Sequence, residues 1–588
     1  MNSNSSQADC LRHALAFISS GMPSEALRVL AAIPGDSSLY PHALHLSGVA
    51  HGLQGKTEKS IKMFEIALSW LSQDAELHAN LARAYYAGDL FEDALRILER
   101  VVHLGKANAT TFCDRAMVLE KLGQDMQALS DYETALEMDA AFYPAWARKA
   151  SLLQKMQRYE EALDCYDRLV AMQPDNALAR SGRGSTLDKL GRMDEALPEH
   201  QLVLALDPNQ AAIWSGHGVC LVLKDRLEEG LRCFDKALEI DPVHPQAMIN
   251  RASLLAELYR FPESLSQFNA ALLHVRHDSK ARAQALLFKG MAELALGNPS
   301  GWSGYEYRLH GEHELSRHDA LALRWTGAEP LAGKRIVLWG EQGYGDIIQF
   351  CRYTVSLAEL GADVILEVPE PLLALCASLP AGAVYPTHAH LPPHDYQIPM
   401  MSMPLALQRQ PQLAAIPCAG GYLQADPRIV EKWRATMLPA RKRRIGIACS
   451  GAIQHPRNAR RCIPLEKLRP LADAAELVIL QPELTALDSA AAAATPGIIQ
   501  PPLDRSDFAD TAGLIAHVDL VISVDTSIAH LAGAMGLPVW ILLPWNAEWR
   551  WLATGKDTPW YHSARLFRQA ARNDWDAVVH DVLRALNA

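Results

Sequence analysis

The sequence predicts an α-helical solenoid followed by an α/β region of two lobes, each built on a parallel sheet. Three observations predict it. A three-residue motif with a small central residue recurs every 34 positions through the first half. From Lys334 this rhythm gives way to short β-branched runs that alternate with helical segments, as in parallel sheets with crossover helices. A stretch rich in Pro and Ala, between about 404 and 443, interrupts the alternation and divides it into two lobes.

The first half is a repeat array of helix pairs. A small residue lets the two helices of a pair approach closely, and a large residue four positions later lies on the same helical face. The period of 34 is that of tetratricopeptide repeats, which present an extended concave face that binds peptides or proteins. We interpret His200, the exception among the large residues, as a packing residue rather than a ligand. The small and large residues are Ala26 and Leu30, Ser60 and Phe64, Ala94 and Leu98, Ala128 and Tyr132, Ala162 and Tyr166, Ala196 and His200, Gly230 and Phe234, and Ser264 and Phe268.

The array loses its regularity after Ala271, and a last helix pair is expected to run to about Arg308. The aromatic segment from Trp302 to Arg308 either caps the solenoid or docks it on the α/β region, and capping is the interpretation we adopt. We therefore place the solenoid at residues 1–310 and a linker at 311–333.

The second half is expected to form two Rossmann-like lobes, at residues 334–420 and 421–588. Ligands of such sheets bind beyond the carboxyl ends of the strands, so the cleft between the lobes is the expected site. The runs predicted as strands are Arg335–Trp339, Asp363–Val368, Arg444–Ala448, Glu476–Leu480, Leu520–Ser523 and Pro538–Leu543.

Composition excludes several function classes. A net charge of -11 argues against a general nucleic-acid binder, because phosphate backbones require a basic face. The first nine residues do not have the pattern of a signal peptide, and no window reaches the length of an apolar membrane span. The ten cysteines are scattered without CxxC spacing, which favours a reduced, cytoplasmic protein over a disulfide framework or a zinc site.

The first candidate loop comes directly after the first strand of the second half. Gly343 and Gly345 allow a tight turn and a close approach to a ligand, and the next helix offers free N–H groups to an anion. Asp346 is either a catalytic base or a helix cap that forms a capping-box-like pair with Gln349.

The second candidate loop leaves a hydrophobic strand and enters a helix. Its hydroxyl and N–H groups at the helix start suit a diphosphate. The residues that carry this chemistry are Asp525, Thr526, Ser527 and His530. The alternative is N-capping by Thr526 together with a packed histidine.

These residues carry a family resemblance. The run from Asp525 to Ser527, followed by His530, Gly533, Gly536 and Pro538, resembles the nucleotide-sugar motif of glycosyltransferase family 9, the heptosyltransferase-like enzymes. Gly345 and Asp346 match the place of that family's catalytic aspartate. Segments 339–352, 544–551 and 566–569 resemble a bacterial subgroup in which the transferase unit, of the two-lobed GT-B type, follows tetratricopeptide repeats. Some members of the subgroup are flagellin glycosyltransferases, whose repeats recruit flagellin.

The resemblance implies roles for the candidate residues. Asp346 would be the general base that takes the proton of the acceptor hydroxyl. Thr526, Ser527 and His530 would hold the donor diphosphate, and Asp525 would orient the loop or touch the sugar. Gly343 and Gly345 would allow the backbone to approach the donor.

A third segment follows a strand of the second lobe and adds donor-binding candidates. It begins at Ser450, and Arg457, Arg460 and Arg461 would stabilise the leaving diphosphate without a metal. The alternative for Arg460 and Arg461 is a solvated pair. The family implies inversion at the transferred sugar.

The leading functional hypothesis is transfer of a sugar from a CMP- or ADP-linked donor to Ser or Thr of a bacterial protein. Flagellin is the expected acceptor, recruited by the repeats, and no cofactor or metal is required. One alternative is a non-catalytic scaffold whose transferase unit is degenerate. The other is a transferase that acts on a lipid or a polysaccharide.

Overall fold

The computed structural model describes residues 2–277, 279–310, 318, 321–437, 439, 442–451, 458–481, 483–504 and 507–588. The chain divides into two compact units, Met1–His244 and Pro245–Ala588. Within the described residues no helix is both long and apolar enough to cross a membrane.

The first unit is an array of antiparallel helix pairs, and further helices of the same kind open the second unit. This confirms the predicted helical solenoid. The helices of the first unit are α1 (Asn2–Ser19), α2 (Pro23–Leu30), α3 (Tyr40–Leu53), α4 (Thr57–Leu68), α5 (Ala75–Ala87), α6 (Phe91–His103), α7 (Ala109–Lys121), α8 (Asp125–Met138), α9 (Tyr143–Lys155), α10 (Tyr159–Met172), α11 (Ala177–Lys189), α12 (Met193–Leu206), α13 (Ala211–Leu223) and α14 (Leu227–Ile240). The second unit opens with α15 (Pro245–Glu257), α16 (Phe261–His274), α17 (Lys280–Ala295) and α18 (Gly301–Tyr305).

Close approach within each pair depends on the small residue that the period singled out. Ala94, Ala128 and Ala162 are fully buried at these positions. At Gly230 a Cβ atom would lie 2.6 Å from Val222 Cγ2 and 3.0 Å from the carbonyl oxygen of Gly218. The helix spacing therefore leaves room for a small side chain, or for none.

Where the large residue of a pair is a tyrosine, its hydroxyl reaches an acceptor twelve positions earlier. The hydroxyl of Tyr132 donates to Glu120, and that of Tyr166 donates to Gln154 Oε1 over 3.0 Å. Asp188 and His200 repeat this arrangement, with Nε2 of the buried ring 3.3 Å from Asp188 Oδ2.

Cys220 joins that pair, because its thiol donates to Asp188 Oδ1 over 3.1 Å. Asp188, His200 and Cys220 thus offer three atoms of metal-ligating types within 4.8 Å of one another. Two of them, Asp188 and His200, occupy the places of the acceptor and the tyrosine in neighbouring repeats. We interpret the cluster as a variant of that packing pair.

The turn between the two helices of a repeat has a left-handed residue, again at intervals of 34. Glycine adopts this conformation freely and Asp tolerates it, whereas a bulky residue there is strained. Tyr259, with φ 60°, is the aromatic residue of the series. The positions are Gly21, Gly55, Asp89, Gly123, Gln157, Gly191, Asp225 and Tyr259.

The aromatic segment after α17 packs against the α/β region. The ring centroid of Trp302 lies 5.3 Å from that of Trp549 and 6.2 Å from that of Phe350, and the ring of Tyr305 lies 5.1 Å from Trp549. The capping interpretation is therefore wrong. The segment is covered by apolar rings of the second unit instead of ending in solvent.

The first lobe has a parallel sheet in the order β1-β5-β2-β3-β4 among the described residues. Ile336 and Leu338 pack into the main core, while Val337 and Trp339 face a smaller cluster on the other side. The strands are β1 (Leu323–Arg324), β2 (Arg335–Trp339), β3 (Asp363–Val368), β4 (Ala383–Pro386) and β5 (Tyr396–Pro399). The α-helices are α19 (Tyr344–Phe350), α20 (Tyr353–Glu359), α21 (Leu373–Cys376) and α22 (Met403–Leu407).

The second lobe has a parallel sheet in the order β11-β10-β9-β6-β7-β8 among the described residues. Its core lies on both faces, because alternate residues of β9 belong to different clusters. The strands are β6 (Arg444–Ala448), β7 (Glu476–Ile479), β8 (Ile498–Ile499), β9 (Leu520–Val524), β10 (Val539–Leu543) and β11 (Ala564–Arg568). The α-helices are α23 (Pro427–Thr436), α24 (Asn458–Arg461), α25 (Leu465–Leu468), α26 (Leu471–Ala474), α27 (Ala486–Ala494), α28 (Phe508–Ile515), α29 (Ser527–Ala534) and α30 (Trp575–Leu586).

Two parallel sheets with helices confirm the predicted α/β architecture. The predicted strands are present, with ends that differ by one residue at most. The domain boundaries stay a prediction, although β1 takes two residues of the segment expected as a linker into the first sheet.

Candidate functional site

The two candidate loops meet where α19 and α29 begin. A Cβ atom on Gly345 would lie 3.0 Å from His530 Cδ2 and 3.5 Å from Ser527 Cα. Such a contact is tighter than most Cβ atoms make, so glycine at this position favours the close approach of the two helix starts. The fold therefore brings the loop of Gly343 and Asp346 together with the loop of Asp525 to His530, beyond the carboxyl ends of β2 and β9.

Asp346 has two partners in this arrangement. Its Oδ2 accepts the Gly343 N–H over 3.1 Å, which is a capping contact, and its Oδ1 accepts from Arg550 in a close ion pair. The alternative of a capping-box-like pair between Asp346 and Gln349 is wrong, because Gly343 is the N-cap and Asp346 is the third residue of the helix. The Gln349 side chain is fully buried, and neither of its polar atoms has a hydrogen-bond partner among the described residues.

Arg550 is a residue that sequence reasoning missed. It follows β10 in the short turn Trp549–Trp551, donates to Glu548 Oε2 over 2.8 Å, and lies 4.5 Å above the Trp549 ring. Burial opposes its charge, but the carboxylates of Asp346 and Glu548 hold its pKa above the ordinary arginine value. Arg550 is therefore a permanent buried cation between the two loops. The resemblance of segment 544–551 was the signal that could have found it.

Asp525 is buried beside this cation. Burial and the nearby Glu548 raise its pKa to about 7, against the opposing effects of Arg461 and Arg550. Its Oδ1 lies 3.8 Å from His530 Nε2. Near neutral pH the Asp525 carboxyl can therefore both donate and accept hydrogen bonds.

His530 is neutral and fixed. Burial, with help from Arg550, lowers its pKa to about 3. Its Nδ1 lies 2.9 Å from the Tyr561 hydroxyl, and its ring stacks on Trp551 at 5.1 Å. The side chain can position Asp525 and the start of α29, but it does not bring a positive charge to a diphosphate.

Thr526 and Ser527 form the N-terminus of α29. Thr526 is at the N-cap position, but its hydroxyl lies 3.1 Å from Ser523 Oγ and makes no capping hydrogen bond. The alternative of side-chain capping by Thr526 is therefore wrong. The first N–H groups of a helix lack partners within the helix, so this end suits an anion.

The third predicted segment is only partly described. Ser450 is buried, and its hydroxyl accepts from Gln481 Nε2 over 2.8 Å. Arg457 lies outside the described residues. Arg460 forms an ion pair with Glu257 of α15, so it is not simply solvated. Arg461 Nε is buried and has no hydrogen-bond partner in the described part of the chain.

A cavity of about 190 Å³ opens beside Asp525. The second lobe contributes the polar side chains Arg460, Arg461, Asp525, Asn546 and Glu548. The repeat segment that opens the second unit contributes Ser253, Glu257, Tyr259, Phe288 and Met291. Sequence reasoning did not associate these repeat residues with the site.

Comparison with known protein families gives one match in the repeat helices and one in the second lobe. Residues 147–211 match the tetratricopeptide repeat family, and residues 499–549 match glycosyltransferase family 9 (heptosyltransferase). The second match includes Asp525, Thr526, Ser527, His530 and Glu548.

The chain is thus similar to tetratricopeptide repeats in one segment and to glycosyltransferase family 9 in another.

This confirms the resemblance that the motifs predicted. The chain is 28% identical to protein FlbA of Caulobacter vibrioides over 323 residues, 50% of this chain. The matched part is 53% of that protein, so the chain spans about half the length of the relative it matches. Among solved structures, the tetratricopeptide protein YrrB has 26% identity and a TM-score of 0.30, over 32% of this chain and 95% of YrrB. The C-terminal part of a repeat protein from Cytophaga hutchinsonii has 14% identity and a TM-score of 0.34, over 41% of this chain and 98% of that one.

Proposed function

We propose that this protein transfers a sugar from a nucleotide sugar to Ser or Thr of a protein that its repeats bind, with flagellin as the acceptor. The observation that carries the proposal is the meeting of Asp346 with the α29 N-terminus across Gly345, beside the cavity that Asp525 lines. The family 9 match supports the transferase chemistry. The repeats support a protein acceptor rather than a lipid or a polysaccharide.

In this arrangement one loop would bind the donor and the other would accept the proton of the acceptor. The N-terminus of α29, with Thr526 and Ser527, would bind the donor diphosphate. Arg461 and Arg550 are cations close enough to Asp525 to balance charge on the leaving group. Asp346 would accept the proton of the acceptor hydroxyl, which requires that it exchange its contact with Arg550 for the substrate.

That last requirement gives weight to a second candidate function. The Asp346 carboxylate is occupied by both Gly343 and Arg550, as in a purely structural ion pair. A non-catalytic scaffold, in which the repeats bind a partner and the transferase unit is degenerate, is favoured by this one contact.

The deciding experiment coexpresses the protein with flagellin of the same organism and its sugar-nucleotide pathway, and weighs the flagellin by intact-protein mass spectrometry. We expect a discrete mass increment with the wild type and its loss with Asp346→Ala. Asp363→Ala is the matched control, because Asp363 is a half-exposed carboxylate of the same lobe that pairs with Arg335. No increment with a wild type that still binds flagellin would establish the scaffold instead.

A further inference from the structure

The cavity beside Asp525 has a lining that discriminates between ligand chemistries. It contains three carboxylates, Glu257, Asp525 and Glu548, against two guanidinium groups, Arg460 and Arg461. Glu257 is paired with Arg460 and Glu548 with Arg550, so the charges of these carboxylates are compensated. Carboxylates and amides mixed with aromatic rings suit a ligand that carries many hydroxyl groups and little charge.

The size of the cavity points the same way. A volume of about 190 Å³ lies below the roughly 300–1,000 Å³ of pockets that hold a whole drug-sized ligand. This size suits one part of a nucleotide sugar, such as the sugar ring. Asp525 lines the cavity and directly precedes Thr526 at the α29 N-terminus, so a sugar here would lie next to a diphosphate bound there.

Tyr259 is the unexplained residue of this lining. It occupies the left-handed turn position where the other repeats have Gly, Asp or Gln, and a bulky residue there is strained. Its hydroxyl is buried, and burial raises its pKa. The backbone of Ala547 is nearby but outside hydrogen-bonding geometry, and the hydroxyl has no partner in the described part of the chain.

The neighbours of Tyr259 hold this part of the lining in place. Glu257, two residues earlier, accepts from both Arg460 and Asn546 of the second lobe, the latter over 3.1 Å. The Tyr259 ring lies 6.1 Å from that of Trp545 and 5.4 Å from that of Phe261. The strained tyrosine is therefore fixed by contacts on both sides, as a preorganised recognition group requires.

We propose that this cavity is the sugar subsite of the donor site, and that Tyr259 is a specificity-determining residue whose hydroxyl hydrogen-bonds a hydroxyl of the donor sugar. The inference rests on the proposed function, because it assumes a nucleotide-sugar donor. It adds that the last turn of the regular repeat array selects the donor, in addition to any role of the array in binding the acceptor.

The test isolates the phenolic hydroxyl. Immobilised full-length protein is incubated with a deproteinised extract of the source organism, and the retained nucleotide sugar is identified by mass spectrometry. Calorimetry then measures the Kd of that nucleotide sugar and of its bare nucleotide for the wild type and for Tyr259→Phe. Tyr86→Phe is the control, because Tyr86 makes a similar edge contact with Phe91 in the first unit, far along the chain from the cavity.

We expect Tyr259→Phe to raise the Kd of the nucleotide sugar about five- to tenfold, the effect of one lost hydrogen bond, and to leave that of the bare nucleotide within about twofold. Equal changes for both ligands, or no change for either, would overturn the inference while leaving the proposed function intact. A wild type that retains no nucleotide sugar would overturn both.

A second variant separates recognition from packing. Tyr259→Gly places at this turn the residue that several other repeats have there. If the tyrosine serves recognition, the glycine variant folds with an unfolding temperature near that of the wild type but loses the extra affinity that the sugar provides. A large fall in the unfolding temperature would show that the ring serves packing, and would count against the proposal.

Discussion

Asp525 and His530 are buried neighbours whose contributions to stability change with pH in opposite directions. The folded protein holds the Asp525 proton up to about pH 7, whereas an unfolded carboxyl loses it near pH 4. The folded state thus binds more protons in this range, and the contribution of Asp525 to the free energy of unfolding falls as pH rises. For His530, with a pKa of about 3, the unfolded state binds more protons below about pH 6.5, so its contribution rises with pH.

The replacement Asp525→Asn should expose the histidine effect alone. Between about pH 4 and 6.5 the two contributions oppose each other in the wild type, and the variant keeps only the rising one. We expect its free energy of unfolding to climb with pH more steeply than that of the wild type, by up to about 1.4 kcal/mol per pH unit. Calorimetric unfolding at three pH values in this window measures the slopes, and parallel profiles would contradict the assignment.

At this scale the sequence predicted the two loops but not what joins them. Gly345 and Asp346 were recognisable because they follow a strand and open a helix, and Asp525 to His530 for the same reason. Arg550 follows a strand without a glycine or a helix start, so local pattern gives it no special status. Tyr259 reaches the site from a turn more than 250 residues before Asp525, a distance over which spacing carries no information.

At the scale of elements, the repeats tolerate chemical variation because their geometry is fixed by the helix pair. His200 takes the place of a tyrosine, and Asp188 takes the place of its acceptor. Gly216 gives the space that Gly182 gives to Tyr166 one repeat earlier, since a Cβ atom at either glycine would press on the ring.

The replacement His200→Tyr should therefore be accepted. We expect the free energy of unfolding to fall by less than about 3 kcal/mol, the upper end of the usual range for an enlarged side chain in a packed core. Thermal unfolding of the full chain measures it. His200→Tyr combined with Gly216→Ala is the control and should be clearly less stable, because the added methyl group takes the space of the ring. A large loss in the single variant would mean that His200, Asp188 and Cys220 are needed together.

Strands were predictable where the chain is apolar and β-branched, as in β2, β3 and β6. Four short strands were not: β1 and β8 have two residues each, and β4 and β5 end in proline. Pairing with a neighbouring strand, rather than local propensity, makes these segments extended. Trp302 illustrates the same limit, because its aromatic neighbours lie far away in sequence.

At the scale of the whole molecule, the second compact unit, Pro245–Ala588, begins before the repeats end. Residues 245–309 have the form of repeats but belong with the α/β lobes. Trp302 and Tyr305 are buried there against Trp549, and the Ala553 N–H donates to the Ala295 carbonyl over 2.7 Å.

Truncation should reveal this boundary. We expect residues 245–588 to be expressed as a folded protein with one cooperative transition. Residues 311–588 should be unstable or aggregate, because removal of α15–α18 exposes the ring of Trp549 and leaves apolar surface uncovered. Circular dichroism and size-exclusion chromatography compare the two. Equal behaviour of both fragments would show that α15–α18 contribute little to the fold of the lobes.

The position of Tyr259 has a consequence for how such chains could be recombined. Repeats are readily exchanged between proteins, and a natural place to splice is where the helical repeats stop. In a chimera joined near residue 310, the repeat residues that line the sugar subsite would come from the other protein. In one joined at 244/245 they would stay with the lobes. If Tyr259 recognises the donor, the sugar that a chimera transfers would depend on which protein supplied the last repeat, as well as on which protein supplied the catalytic lobes.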